Sequence, residues 1–268
     1  MSGGRPRIGA TVALATAILL AACGRVTPEA TRDDGRRVHV LAAASLANLL
    51  ESLAADLERV AGGPVVVVTG GSSTVARQAM AGADCDILLS ADAAWIDELD
   101  ARGLVAERRP LPGNGLVVIV PAGAAVMADA TAAATLQRPA VRRIAIADPE
   151  AVPAGRHARR ALAYADLWDA VQSRLVPAGN VRVALTWVEA ATVDAGIVYA
   201  TDAMLSDRVR VAAPLPPDPA HPVRGVAALL PAGSDHPAAR RVWDFLAGPE
   251  AMAAFERLGF QVAGSDGP

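Results

Sequence analysis

Ile144-Ala145-Ile146-Ala147-Asp148-Pro149-Glu150-Ala151-Val152-Pro153-Ala154-Gly155 reads as a strand, a turn and the start of a helix. A short apolar run meets Asp-Pro, and Pro153 then stands two residues ahead of a helical pattern. Proline is tolerated in a first helical turn because the N–H it lacks would have no intrahelical partner there. The N–H groups of Ala154 and Gly155 are left unpaired at the positive end of the helix dipole, where an anion binds without a cationic side chain. On this stretch alone an ordinary turn into a helix is the simpler reading. Two other stretches of the chain are built the same way.

Outward from this stretch, strands and helices alternate. Upstream come a strand at Val38–Leu41 and a helical pattern carried by Leu46, Leu49, Leu50, Leu53, Leu57 and Val60, ended by Gly62-Gly63. The run from Pro64 to Val68 predicts a strand buried on both faces. Gly70-Gly71-Ser72-Ser73-Thr74 leads into a short helix over Val75 to Ala81. A strand at Ile87–Leu89, a helix from Asp92 to Arg102 and a crossing strand at Leu116–Val120 follow. Downstream the pattern predicts helices over Arg156–Leu175 and Val181–Val193, then strands at Gly196–Tyr199, Val209–Val211 and Val223–Leu230. Helices at Pro237–Ala247 and Pro249–Leu258 and a last short strand at Phe260–Val262 complete it. This is the pattern of open α/β sheets flanked by helices.

The 268 residues suffice for one large domain or two lobes with a sizeable core. Aromatic residues make up 3%, which argues against a site of stacked rings. The basic residues are all Arg and the net charge is −3, so there is no basic field for nucleic acid. Arg5 and Arg7 precede an apolar run from Ile8 to Leu20, too short to span a bilayer but suited to a signal peptide. It ends in Leu20-Ala21-Ala22-Cys23, which resembles the lipobox of bacterial lipoproteins and implies cleavage before Cys23 and lipidation of that thiol. A plain secretory signal is the alternative. Residues 23–37, polar and aperiodic from Thr27, read as a tether. Cys85 is the only other cysteine. It reads as a small buried side chain, with a Cys23–Cys85 disulfide as the other option.

Ala42-Ala43-Ala44-Ser45-Leu46, Ser72-Ser73-Thr74-Val75-Ala76-Arg77-Gln78 and Asp148 to Gly155 each sit at a strand-to-helix junction. With Ser90-Ala91-Asp92, Gly113-Asn114, Val181-Arg182-Val183-Ala184-Leu185 and Gly196-Ile197-Val198-Tyr199, they resemble the bacterial molybdate-binding proteins of ABC importers. The resemblance runs from about Val38 to Val262. It implies the two-lobed α/β fold of periplasmic binding proteins (type II-like), each lobe a mixed sheet flanked by helices, with a ligand cleft between. The implied lobes are 38–113 plus 223–262 and 114–222, after a signal peptide (1–22) and the tether.

By position, the resemblance assigns hydroxyl and N–H donors to Ser45 and Ser72, backbone N–H donors to Ala154 and Val181, and a phenolic O–H to Tyr199. It implies capture of molybdate or tungstate by a lipid-anchored, extracytoplasmic, monomeric protein. That protein would deliver the anion to a membrane permease, without cofactor, direct protein–metal bond or catalysis. Gly70-Gly71 departs from relatives that carry more Ser there. Such a donor set suits a tetrahedral dianion, which brings only acceptors; a hydrogen bond to an ionised partner contributes about 1.5–3 kcal/mol. Smaller sulfate would leave donors unpaired, and protonated phosphate would need an acceptor.

Other readings stand beside these. Ser45 and Ser72 suit helix N-caps, Tyr199 a strand-end core position, and Arg77, Arg156 and Arg182 exposed or capping roles. Val181 rests on the resemblance alone. Rival functions are a binder of another oxyanion such as sulfate, a serine hydrolase using Ser45 or Ser72 with one of His39, His157, His221 or His236, and a structural or adhesive lipoprotein with no small ligand. No Gly-x-Ser-x-Gly elbow supports the hydrolase. Ligand-driven closure would hinge near Gly113–Leu116 and Pro222–Gly225.

Overall fold

The computed structural model describes residues 35–124 and 131–262. The expected signal peptide, the lipidation site Cys23 and most of the tether lie outside the described residues. The fold is two-lobed, each lobe built on a five-stranded mixed sheet.

The first sheet has the strand order β2-β1-β3-β10-β4. Its strands are β1 (Val38–Ala43), β2 (Val65–Gly70), β3 (Ile87–Ser90), β4 (Glu107–Gly113) and β10 (Arg224–Leu229). β1 runs parallel to β2 and β3, whereas β10 is antiparallel to β3 and β4. The second sheet, ordered β7-β6-β8-β5-β9, comprises β5 (Leu116–Pro121), β6 (Ile144–Ala147), β7 (Leu175–Ala178), β8 (Ala195–Tyr199) and β9 (Val209–Leu215). Here β6 is parallel to β7 and β8, and β5 is antiparallel to β8 and β9.

Parallel strands need crossover helices, and these supply the junctions of interest. In the first lobe they are α1 (Ala47–Ser52), α2 (Ala54–Ala61), α3 (Ser72–Met80) and α4 (Ala94–Asp100). The second lobe contributes α5 (Ala132–Leu136), α6 (Pro153–Tyr164), α7 (Trp168–Val171), α8 (Val181–Glu189) and α9 (Ala200–Ala203). The chain then returns to the first lobe for α10 (Pro231–Ser234), α11 (Pro237–Phe245) and α12 (Pro249–Arg257). One face of the first sheet packs Leu49, Leu57, Trp243 and Phe255 into a core, and the other packs Val75, Ile96 and Leu99. The second lobe has its own core around Ile119, Ile146, Leu162 and Ile197.

Several local expectations are corrected. β2 is an edge strand paired only with β1, so it is half-covered rather than buried on both faces, and Val68 is 42% exposed. The helical pattern from Leu46 to Val60 is interrupted at Leu53, whose backbone (φ −99°, ψ 0°) separates α1 from α2. The stretch Arg156–Leu175 is not one helix: α6 stops at Tyr164, Asp166 takes a left-handed φ of 57°, and the chain enters β7 at Leu175. The span Phe260–Val262 forms an isolated bridge, Gln261 to Gly113, instead of a strand.

The chain passes between lobes twice, at Asn114-Gly115 and between β9 and β10. The Asn114 N–H donates to the Val223 carbonyl at 2.9 Å, tying the two crossings together. The Asn114 side-chain amide donates to Thr201 Oγ1 at 2.9 Å. In open α/β sheets, ligands sit beyond the carboxyl ends of parallel strands. β1, β2 and β3 of one lobe and β6, β7 and β8 of the other end at the residues considered next.

Candidate oxyanion site

The loop from Asp148 to Gly155 is shaped by its own side chain. The Asp148 carboxylate accepts hydrogen bonds from the N–H groups of Glu150 (2.8 Å) and Ala151 (3.3 Å), an Asx turn that reverses the chain after β6. Val152 N–H bonds the Asp148 carbonyl, and Pro153 opens α6. Gly155 is required sterically, because a Cβ there would fall 2.1 Å from the Ala147 carbonyl oxygen and 2.3 Å from that of Asp148. Without a side chain at that point, the helix start lies directly on the end of β6.

Three helix starts are arranged alike. In α3 the first helical bonds run from Thr74 and Val75 to the Gly71 carbonyl, so Ser72 and Ser73 N–H lie ahead of them. In α6 the first is Arg156 to Val152, ahead of which stand Ala154 and Gly155. In α8 the Asn180 side chain caps Val183 N–H at 3.0 Å and its carbonyl receives Ala184, leaving Val181 and Arg182. Groups at such positions have no acceptor within their own helix.

These starts meet in one small pocket between the lobes. Ser45, Ser72, Ala154, Val181 and Tyr199, the five residues singled out in the sequence, all line it. Gly71 and Gly179 approach across the cleft: a Cβ on Gly71 would sit 3.1 Å from the Gly179 carbonyl oxygen. That contact gives a physical reason for glycine at 71, one of the two positions that depart from the serine-richer relatives.

Ser45 and Ser72 are buried, and neither is an N-cap. Ser72 is the first residue of α3, and its Oγ accepts from Ala91 N–H at 3.1 Å. Tyr199 is 2% exposed, and its Oη has no hydrogen-bond partner among the described residues. A buried hydroxyl left unpaired is costly in a folded protein unless something else satisfies it. Burial, with Asp92 and Asp202 nearby, pushes the Tyr199 phenol well above its ordinary range, although Arg156 opposes this. Tyr199 therefore keeps its proton and is a donor.

Two arginines expected to be exposed or capping are partnered instead. Arg156 donates from Nε to the buried Asp92 carboxylate at 3.0 Å, and its terminal nitrogen meets the same oxygen. Arg182 is paired at 2.6 Å with Asp202, a fully buried carboxylate. Asp202 is pushed up to about 6 by burial, against the pull of Arg182. The sequence reading quoted Asp92 only within Ser90-Ala91-Asp92 and gave no role to it or to Asp202, because their arginine partners lie elsewhere in the chain. His157 is buried against the Ala91 backbone and Asp92, and desolvation lowers its basicity, so the ring is neutral at pH 7. Among the described residues no three His, Cys, Asp or Glu side chains converge as a metal centre. The cavity is thus walled by neutral donors around a tyrosine hydroxyl with nothing to bond.

A model of the bacterial extracellular solute-binding protein family matches residues 38–261. The chain is 38% identical over 242 residues to the molybdate-binding protein ModA of Escherichia coli, covering 88% of this chain and 93% of that one. It is 30% identical to YvgL, a putative ABC transporter substrate-binding lipoprotein of Bacillus subtilis, over 93% of this chain and 96% of the other. Among solved structures, the Azotobacter vinelandii periplasmic molybdate-binding protein superposes with a TM-score of 0.72 at 24% identity, covering 84% of this chain and 99% of that one.

Proposed function

The chain belongs to the bacterial extracellular solute-binding protein family, and on that premise we propose that it captures molybdate and tungstate outside the cytoplasm for an ABC importer. The observation that carries this reading is the unpartnered Tyr199 Oη in a cavity shared with the starts of α3, α6 and α8. A fully ionised tetrahedral oxyanion supplies acceptors to every one of these donors. Ser45 and Ser72 give hydroxyl and main-chain donors from one lobe, and Ala154 and Val181 give main-chain donors from the other. Tyr199 gives its O–H. The helix dipoles add positive potential without a strongly hydrated cation.

Binding engages both lobes, 38–113 plus 223–262 and 114–222, so it favours the closed form, which the permease then recognises. Only contacts missing from the open form can drive that shift. Cys23 carries a lipid that holds the monomer at the cell membrane, in the periplasmic space where an outer membrane exists. No catalytic step or cofactor enters this function.

Sulfate is the rival ligand, since it shares the tetrahedral dianion's chemistry. Thermal unfolding of the chain from residue 23, in the presence of each anion, tests the reading. Molybdate and tungstate should raise Tm steeply with concentration, as any ligand of the native state does, and sulfate should raise it far less. Equal or larger shifts with sulfate would reassign the site.

A further inference from the structure

The Arg156–Asp92 pair joins the two lobes beside the cavity, close in the chain to its lining residues Ala91 and Ala154. Asp92 belongs to the first lobe and follows Ala91, whose N–H holds Ser72 Oγ. Arg156 belongs to the second and stands two residues after Ala154 at the start of α6. Arg156 makes a second contact with the first lobe, its guanidinium carbon 5.6 Å from the Trp95 ring centroid on α4, within cation–π range. His157, its neighbour, packs against the Ala91 backbone from the same side. Asp92 is 6% exposed, and its Oδ1 has no hydrogen-bond partner among the described residues. It is a carboxylate beside a site for a dianion, and Arg156 is its ion-pair partner among the described residues.

We propose that Arg156 and Asp92 are positioning residues of the anion site, a cross-lobe ion pair made only on closure that holds the Ala154 wall against the Ser72 wall. The proposal rests on the oxyanion-binding reading given above. Neither side chain donates to the anion; the pair acts on the lobes that carry the donors. A contact formed after encounter slows release and leaves capture unaffected. The two residues also act as one unit, so losing either removes the same thing.

The test is stopped-flow binding and release of molybdate by the wild type, Arg156→Gln, Asp92→Asn and the double variant. Unfolding of each ligand-free protein serves as the check on folding. Each single change should speed release at least about thirtyfold, the lower end of the range for truncating one partner of a buried charged pair, and leave association within twofold. The double variant should be no worse than the more damaged single one. Release within twofold of wild type in Arg156→Gln, or single effects that multiply in the double, would overturn the pair's role.

If the wild type binds no molybdate, it is the oxyanion reading that fails. The pair is then tested without ligand by small-angle scattering: the share of molecules that close unaided should fall in Arg156→Gln, giving it a larger radius of gyration than the wild type. An unchanged radius would overturn it.

Discussion

Ser72 Oγ accepts a hydrogen bond from the N–H of Ala91 at 3.1 Å, tying the start of α3 to the loop that follows β3. The bond fixes the hydroxyl through a lone pair and leaves its proton free to donate into the cavity. Ser45 lines the same cavity without such a tie.

The two serines should therefore respond differently to the same truncation. Ser72→Ala orphans the half-buried Ala91 N–H and should lower stability by about 1–2 kcal/mol while weakening molybdate binding. Ser45→Ala should weaken binding with stability nearly unchanged. Urea unfolding of the ligand-free variants, beside calorimetric titration, checks both.

Tyr199→Phe separates folding from function in the opposite sense. The hydroxyl is buried with no hydrogen-bond partner among the described residues, so its removal should leave stability equal or raise it by up to about 1–2 kcal/mol. The same change deletes a hydrogen bond to an ionised ligand, worth about 1.5–3 kcal/mol, so affinity should drop ten- to a hundredfold. A variant that is destabilised yet binds like wild type would show that Tyr199 is a core residue only.

Gly155→Ala puts a methyl group 2.1 Å from the Ala147 carbonyl oxygen, a main-chain atom with no easy retreat. The start of α6 must move off β6, at a cost of about 1–3 kcal/mol or more, and Ala154 N–H moves with it. Both stability and binding should suffer. If affinity survives in the folded variant, the position of the Ala154 N–H is not critical.

The need for glycine at 155 illustrates what the sequence made legible. Asp-Pro, a proline in the first helical turn and the glycine after it announce a strand running directly into a helix, and the Asx turn at Asp148 confirms the local reading. β4 and β7 were hidden for a definable reason. They contain Pro110, Pro112 and Pro177, which argue against a central strand, but both strands lie at sheet edges, where an absent N–H costs no ladder bond. The five cavity residues were found through positional likeness to a family, since Val181 contributes only its main chain. Asp92 and Arg156, 64 residues apart, carry no local signature, and their meeting is visible only in three dimensions.

Asp202 gives the stability a pH dependence of known sign. Burial raises its carboxyl to about 6, above the value of about 3.9 in an unfolded chain. Between these values the native state holds the proton more tightly, so this group makes stability fall as pH rises through that window. Tm of the ligand-free wild type, relative to Asp202→Asn, should decline from about pH 4 to pH 7. A flat or rising difference would mean that Arg182 keeps Asp202 ionised throughout.

The central claim is that one tetrahedral oxyanion sits among Ser45, Ser72, Ala154, Val181 and Tyr199. Anomalous diffraction at the molybdenum absorption edge, from crystals grown with molybdate, tests it most directly. The account predicts a single strong peak in the cavity between the lobes, its oxygens in hydrogen-bond contact with those five residues. A cavity without that peak, or molybdenum bound elsewhere on the chain, would contradict it.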